Sequence, residues 1–303
     1  MAETNRVAVR YTAESTYGVL PTTGWKPLRY TSETIGAEPQ TTISDEIRSD
    51  RMVADLINTS LNVGGDANFE LSYTSFDDLI EAALLGTWTT NVLKVGTVKR
   101  SFSIEKQFQD ITQYIRFTGM RVGAMSLNFQ FGQVATGSFT FAGNGTTSSG
   151  TAATGTTSAA TTTAVMSGGQ VANVNVNGSA STLLFRTINL TVDNTLRPIQ
   201  ALGQTAPSNQ AYGRATITGT IEAYFDNLSL YTPLISSTAI SVSFDALDVA
   251  GNKYTVLIPK LKFSSGTPQT PGVDQDVVQS LGFTALFDST TSTSLQITRT
   301  PIV

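Results

Sequence analysis

Runs in which apolar and polar residues alternate one by one recur from end to end of this chain, and that period of two constrains its fold more than any other feature. Ala67-Asn68-Phe69-Glu70-Leu71-Ser72-Tyr73 sets Phe69, Leu71 and Tyr73 on one face. Residues 101–105, 126–131 and 137–141 repeat the pattern, and farther on so do 187–192, 240–244 and 295–297. Successive side chains of a strand point to opposite faces. Each run therefore predicts a strand with one buried side and one wet or partner-facing side, the habit of antiparallel sheets. Many outward positions are Thr, which suits a pleated surface without adding charge.

One segment departs from that period. Phe76, Leu79, Ile80, Ala83 and Leu84 fall at helical spacing and predict a short helix with one apolar stripe. Ser75 and Asp78 read as a capping box, and Gly86 as the C-terminal stop. Asp77 and Asp78 then occupy the first turn. Two adjacent carboxylates invite a general acid/base reading, but at a helix N-terminus they read as partners of the helix dipole on a solvated face.

Residues 146–164 contain only Thr, Ser, Gly and Ala. With no large apolar side chain to bury, such a tract predicts a flexible linker or exposed loop. It divides the chain into a first β domain, 1–145, and a second, 165–303. The two resemble each other in three places that fall in the same order at nearly constant spacing. Phe76-Asp77-Asp78-Leu79 matches Phe225-Asp226-Asn227-Leu228, Tyr114-Ile115-Arg116-Phe117 matches Tyr254-Thr255-Val256-Leu257, and Gly137-Ser138-Phe139-Thr140 matches Leu281-Gly282-Phe283-Thr284. Pro233 would shorten the helix of the second domain to about two turns.

Composition removes most chemistry. The chain of 303 residues has no Cys and no His, so disulfides, thiolate zinc sites, cysteine nucleophiles and His-based triads are out. Its 19 basic and 23 acidic residues give a net charge of -4, which argues against a binder that holds nucleic acid on a basic surface. Glycine runs lack the phosphate-cradling patterns, and the acidic residues do not follow calcium-loop spacing. No catalytic, metal or cofactor residue is nominated, and the chain reads as a non-enzyme. No targeting segment or apolar run of membrane-spanning length is present, which predicts a soluble product made in the cytoplasm.

Three strings carry a family resemblance: Trp25-Lys26-Pro27-Leu28-Arg29-Tyr30-Thr31-Ser32-Glu33, Ser44-Asp45-Glu46-Ile47-Arg48-Ser49-Asp50-Arg51, and Ser75-Phe76-Asp77-Asp78-Leu79-Ile80-Glu81-Ala82-Ala83-Leu84 with Gly86 and Trp88. They resemble the tail tube (major tail) proteins of bacteriophages with long, non-contractile tails, most densely between residues 25 and 143. The resemblance implies a small β-barrel or β-sandwich with one helix, closing into rings that stack around a tape measure protein and let genome DNA pass. A mainly β chain carrying two tandem domains of that type would need only three copies for a pseudo-six-fold ring, so a homotrimer is expected ahead of a hexamer. Further partners implied are the tail tip and terminator proteins, with double-stranded DNA in transit and no membrane. The place implied is the virion.

Residues 41–60 are charge-dense in a charge-poor chain. Asp45, Glu46, Arg48, Asp50, Arg51 and Asp55 alternate in sign and predict a loop that pairs with a neighbouring subunit or ring and sets register. The tip formed by Ile302 and Val303 predicts a C-terminal arm with something to bury. The Pro/Gly-rich stretch 264–272 reads as a loop answering the Arg48 loop in the other half. Two other readings stay open: a two-domain β-sandwich binding module, either virion decoration or glycan-binding, and a tail terminator or tip protein of similar fold.

Overall fold

A computed structural model describes residues 1–270 and 272–302. The alternating segments become strands and the chain is mainly β. Its first half holds β1 (Val7–Ala13), β2 (Lys26–Pro27), β3 (Ser32–Glu33), β4 (Gly36–Ile43), β5 (Leu56–Glu70), helix α1 (Asp77–Ala83), β6 (Val92–Lys94), β7 (Phe102–Phe108), β8 (Gln113–Gln130), β9 (Thr136–Ala142) and β10 (Gly145–Ser149). The second holds β11 (Val171–Val176), β12 (Ser179–Ala180), β13 (Phe185–Asp193), β14 (Arg197–Ile199), β15 (Asn209–Ala211), β16 (Thr216–Tyr224), α2 (Tyr231–Ser236), β17 (Ile240–Leu247), β18 (Lys253–Ser265), β19 (Val278–Ala285) and β20 (Gln296–Thr300). Among the described residues no helix is long and apolar enough to cross a membrane.

Strand pairing is the same in both halves. In the first, β4 pairs with β5, β5 with β9, β9 with β8, β8 with β7 and β7 with β1, while β10 lies along β8. In the second, β13 pairs with β16, β16 with β19, β19 with β18, β18 with β17 and β17 with β11, while β20 lies along β18. Each helix follows the second strand of its series.

Irregularities repeat as well. Phe102 faces Met120 beside a bulge, and Ile240 faces Leu261 beside another. Gly123 is the extra residue of β8 opposite β9, and Ser264 is its counterpart in β18 opposite β19. The hairpin β4–β5 slips by one residue beyond Gln40, and β14–β15 prolongs β13–β16 after a similar slip.

This correspondence sets Phe76 against Leu230, each preceding its helix, Phe117 against Ile258, and Phe141 against Phe283; all six are buried. The sequence matches are therefore displaced by a few residues. Phe225 answers Leu71, not Phe76, because position in the core rather than letter-by-letter likeness defines the equivalence. By the same pairing, the Arg48 loop answers residues 200–208 between β14 and β15, not 264–272.

The first half is centred on aromatic rings, with Phe69 4.2 Å from Phe76 and 4.7 Å from Phe139 between centroids. Phe129 meets Phe244 edge-on at 5.2 Å and joins the two cores. β13 also pairs with β8, from Thr187 opposite Gln130 to Asp193 opposite Ala124. The run β4–β5–β9–β8–β13–β16–β19–β18 is thus one continuous antiparallel sheet spanning both halves.

Three local expectations change. Ser75 does not cap α1; its hydroxyl bonds Ser72 and Thr161 instead. Leu85, at φ 46°, makes the left-handed turn, and Gly86 is needed because a Cβ there would lie 2.1 Å from the Lys94 carbonyl oxygen. Asp77 is 8% exposed rather than solvated.

The tract 146–164 begins as β10 and then runs irregularly and mostly exposed, but it is fastened to the first half. Arg10 donates to Thr157 Oγ1 and the Ala153 carbonyl, Trp25 Nε1 to the Thr154 carbonyl, and Arg29 to the Thr163 carbonyl. Polar donors from elsewhere hold a segment that has no apolar anchor of its own. α2 has six residues, and Pro233 sits in its first turn, where no helical partner exists for an N–H.

Candidate assembly interface

The spanning sheet has one core face and one open face, as its alternation requires. On the open face Asn68, Ser138, Ser126, Thr191, Thr218 and Thr284 form one row across the strands, ending at Lys262. The next row runs Glu70, Thr136, Asn128, Asn189 and Thr220 to Gly282. Hydroxyls and amides bond along these rows: Ser126 to Ser138 at 2.7 Å, and Asn189 Nδ2 to Thr220 Oγ1 at 3.1 Å. Acids outnumber bases, with Asp66, Glu70, Asp193 and Glu222 against Arg186 and Lys262, and Arg186 is already paired with Glu222 at 3.2 Å.

Two hairpin arms extend from this sheet. The longer is made by β4 and the outer part of β5, from Gly36 opposite Gly64 to Ile43 opposite Leu56. The shorter is β14–β15, whose loop reaches back so that the Thr205 carbonyl accepts the Leu61 N–H at 2.8 Å. The tip of the long arm carries exposed apolar side chains: Ile47 is 98% and Met52 70% exposed, with Ile43, Val53, Leu56 and Ile57 beside them. Ile199 and Leu202 do the same on the short arm. Clustered apolar side chains left in water mark a surface meant for a partner.

Behind the sheet the halves are joined by an ionic cluster. Asp77 accepts from Tyr254 Oη and from Arg299 Nη1, each at 2.5 Å. The Arg299 guanidinium lies 4.6 Å from the centre of the Trp88 ring. Burial, with the Asp77 carboxylate beside it, holds the Tyr254 hydroxyl well above its ordinary pKa.

A comparison with protein-family models matches residues 4–285 to one described as phage tail tube protein. The chain belongs to the phage tail tube protein family. Comparison with curated proteins returns no match. As a member of that family it has a structural role in the tail tube and is a component of the virion.

In this tail tube protein the six charged residues singled out by sequence all lie on the long arm or its tip. Arg48 and Asp50 face each other, Nε to Oδ1 at 3.0 Å and Nη2 to Oδ2 at 2.6 Å. That contact raises the Arg48 pKa and, together with the Met52 N–H, lowers that of Asp50. The Asp55 side chain accepts from the Leu56 N–H, and its carbonyl accepts from the Ser44 N–H. Asp45, Glu46 and Arg51 are exposed and form no ion pair with any other described residue.

The apolar tip residues Ile47, Met52 and Val53 are interleaved in the sequence with these charges. Ile302 is exposed, with its N–H on Asn252 Oδ1 at 3.0 Å. Val303 lies outside the described residues.

Proposed function

We propose that this tail tube protein closes into rings of three copies and that the rings stack into a hollow tube, with the open face of the spanning sheet lining the passage through which genome DNA is ejected. The observation that carries this reading is the open face itself. Its rows of hydroxyl and amide groups with a surplus of acids offer a polyanion no lasting foothold, since each phosphate paired with a fixed cation adds salt-dependent affinity. The repeated pairing supports reading 1–145 and 165–303 as two tail-tube-type units joined through 146–164, so that three copies supply six.

The long arm is the stacking element. Fully burying one large apolar side chain is worth about 1.5–3 kcal/mol, whereas an exposed ion pair contributes about 0–1 kcal/mol. Ile47, Met52 and their neighbours therefore supply the adhesion, and Asp45, Glu46, Arg48, Asp50, Arg51 and Asp55 supply register at the rim. Ile302 and Val303 form an arm toward a neighbouring copy. The tape measure protein occupies the passage before ejection, and tip and terminator proteins close the ends.

Electron microscopy of the purified protein tests this directly. Hollow tubes with three copies per ring are the expected result. Six full-length copies per ring would overturn the two-unit reading. Monodisperse particles at every concentration and salt, even with the tip complex added as a seed, would overturn the tube.

A further inference from the structure

Alternation places Val9, Tyr11, Phe102 and Ile104 in the core, so Arg10 and Glu105 lie on the other face of β1 and β7. That face should be wet, yet Glu105 is 0% exposed and Arg10 6%. Their cover is the stretch 150–159, which runs from the end of β10 to Thr161 and Thr163, where Ser75 and the Tyr73 carbonyl take over. Within that stretch only Ala153 is buried.

The anchors of this stretch converge on one carboxylate. Glu105 Oε2 accepts the Ala153 N–H at 2.7 Å. Glu105 also receives Arg10 Nε at 2.9 Å and Arg116 Nε at 2.7 Å, which orients both guanidinium planes. Their remaining N–H groups reach the cover. Arg10 Nη1 donates to Thr157 Oγ1 at 2.7 Å, Arg10 Nη2 to the Ala153 carbonyl at 2.8 Å, and Arg116 Nη2 to the Thr151 carbonyl. Beneath lies Trp25, 1% exposed, with the Arg10 guanidinium 4.5 Å from its ring centre. Trp25 Nε1 donates to the Thr154 carbonyl, and the Trp25 carbonyl accepts the Ser158 N–H.

The second half also buries a carboxylate, Asp245 of β17, but uses it differently. Its side-chain partners are Asn173 of β11 with Lys253 and Thr255 of β18. Asp245 ties neighbouring strands together, whereas Glu105 also holds a segment that crosses them.

We infer that residues 150–159 form a strap that opens and closes as one unit about Glu105, uncovering Trp25 while both β cores stay folded. Segments with few buried apolar contacts open at lower free energy than the core around them. The anchors of this one fail together. Without the carboxylate both arginines lose their orientation and become unpaired charges that have to return to water. The strap works within one copy and does not depend on how copies associate.

Acid is its trigger. The charged groups facing Glu105 are Arg10 from β1 and Arg116 from β8. Gln107 of its own strand is neutral, and the strap, built of Thr, Ser, Gly and Ala, carries no charge. Burial raises the Glu105 pKa, but the hydrogen bonds from Arg116, Gln107 and Ala153 with the Arg10 charge outweigh it, so the net direction is down. The strap is therefore closed at neutral pH and released as pH falls through that lowered value.

Elastase, which cuts after small residues, and acrylamide quenching of Trp25 in a Trp88→Phe background both read the opening. Glu105→Gln and Gly155→Val should each be cut within 150–159 at least about tenfold faster at pH 7, since cleavage tracks the open population. Far-UV circular dichroism should be unchanged. At Gly155, φ is 110° and a Cβ would lie 2.3 Å from the Thr22 carbonyl oxygen, so the valine variant disturbs the strap and leaves Glu105 and its arginines in place. In the native strap, quenching should rise on acidification before circular dichroism changes.

Protection of 150–159 in a folded Glu105→Gln variant would overturn the role of Glu105. If that variant does not fold, the acid titration decides. Quenching and circular dichroism that change together would show that the strap has no opening of its own. Full protection of Gly155→Val would overturn the way the strap is seated.

Discussion

Tyr254 donates its hydroxyl proton to Asp77 Oδ1 at 2.5 Å, tying a strand of the second half to the first turn of the helix in the first. The same hydroxyl oxygen accepts the Thr74 N–H at 2.8 Å, and the other oxygen of Asp77 receives Arg299. Tyr254→Phe should cost about 1–2 kcal/mol, because the Thr74 N–H loses its acceptor in a buried place. Asp77→Ala should cost about 3 kcal/mol, since it leaves Arg299 half-buried without its counter-charge. A double-mutant cycle by urea unfolding should give a coupling of about 0.5–3 kcal/mol; simple additivity would show that the contact does not join the halves.

Acid should loosen the first half through Glu105. Its carboxylate receives Arg10 Nε at 2.9 Å, Arg116 Nε at 2.7 Å and the Ala153 N–H at 2.7 Å. Burial pushes its pKa up, but these hydrogen bonds, that of Gln107 and the Arg10 charge outweigh it, and the net direction is down. A depressed folded pKa means stability that is present above the unfolded value of about 4.3 and is lost as pH falls through the folded one. Thermal midpoints between pH 2 and 7 should fall on the acid side for the native chain. Glu105→Gln should lower the midpoint at neutral pH and flatten that slope, and an unchanged slope would exclude Glu105 as its source.

Stacking should depend on the apolar tip more than on its charges. Ile47→Asp with Met52→Asp should abolish long tubes while circular dichroism and the thermal midpoint stay within error. Arg48→Glu with Arg51→Glu should shorten tubes or raise the concentration needed to form them, because the Arg48–Asp50 pair is satisfied within one loop. Normal tube length in the aspartate variant would remove the arm from the stacking contact.

Cations placed on the open face should turn a passive wall into a sticky one. Thr191→Lys with Thr218→Lys sits mid-row at pairing positions opposite each other. Assembled tubes of this variant should retain double-stranded DNA at low salt, with a salt slope steeper by about 0.9 per phosphate paired. Unaltered DNA retention in filter binding, with tubes intact, would show that this face does not line the passage.

The strands and the first helix were legible because burial follows period, and Phe69, Leu71 and Phe139 are where alternation places them. The repeated strand pairing was legible in the sequence as a pattern but not in register, since Phe225-Asp226-Asn227-Leu228 imitates the letters of the first helix while Leu230 occupies its buried position. Asp77 could not be read correctly from its neighbours, because Tyr254 and Arg299 come from the far end of the chain. The tract 146–164 likewise looked unanchored, since its partners are Arg10, Trp25 and Arg29, and they bind largely its backbone carbonyls, which no composition reveals.

The seam between β8 and β13 has an arithmetic consequence. In the proposed ring, a perimeter assembled from covalent couples would admit only even numbers of units, so a miscount by one would have no molecule to commit it. Half of that ring's joints would also be made before any encounter in solution, sparing the loss of translational and rotational freedom that each separate docking would cost. Under the proposed assembly, tandem fusion would act as a gauge, setting the bore by counting as well as by curvature.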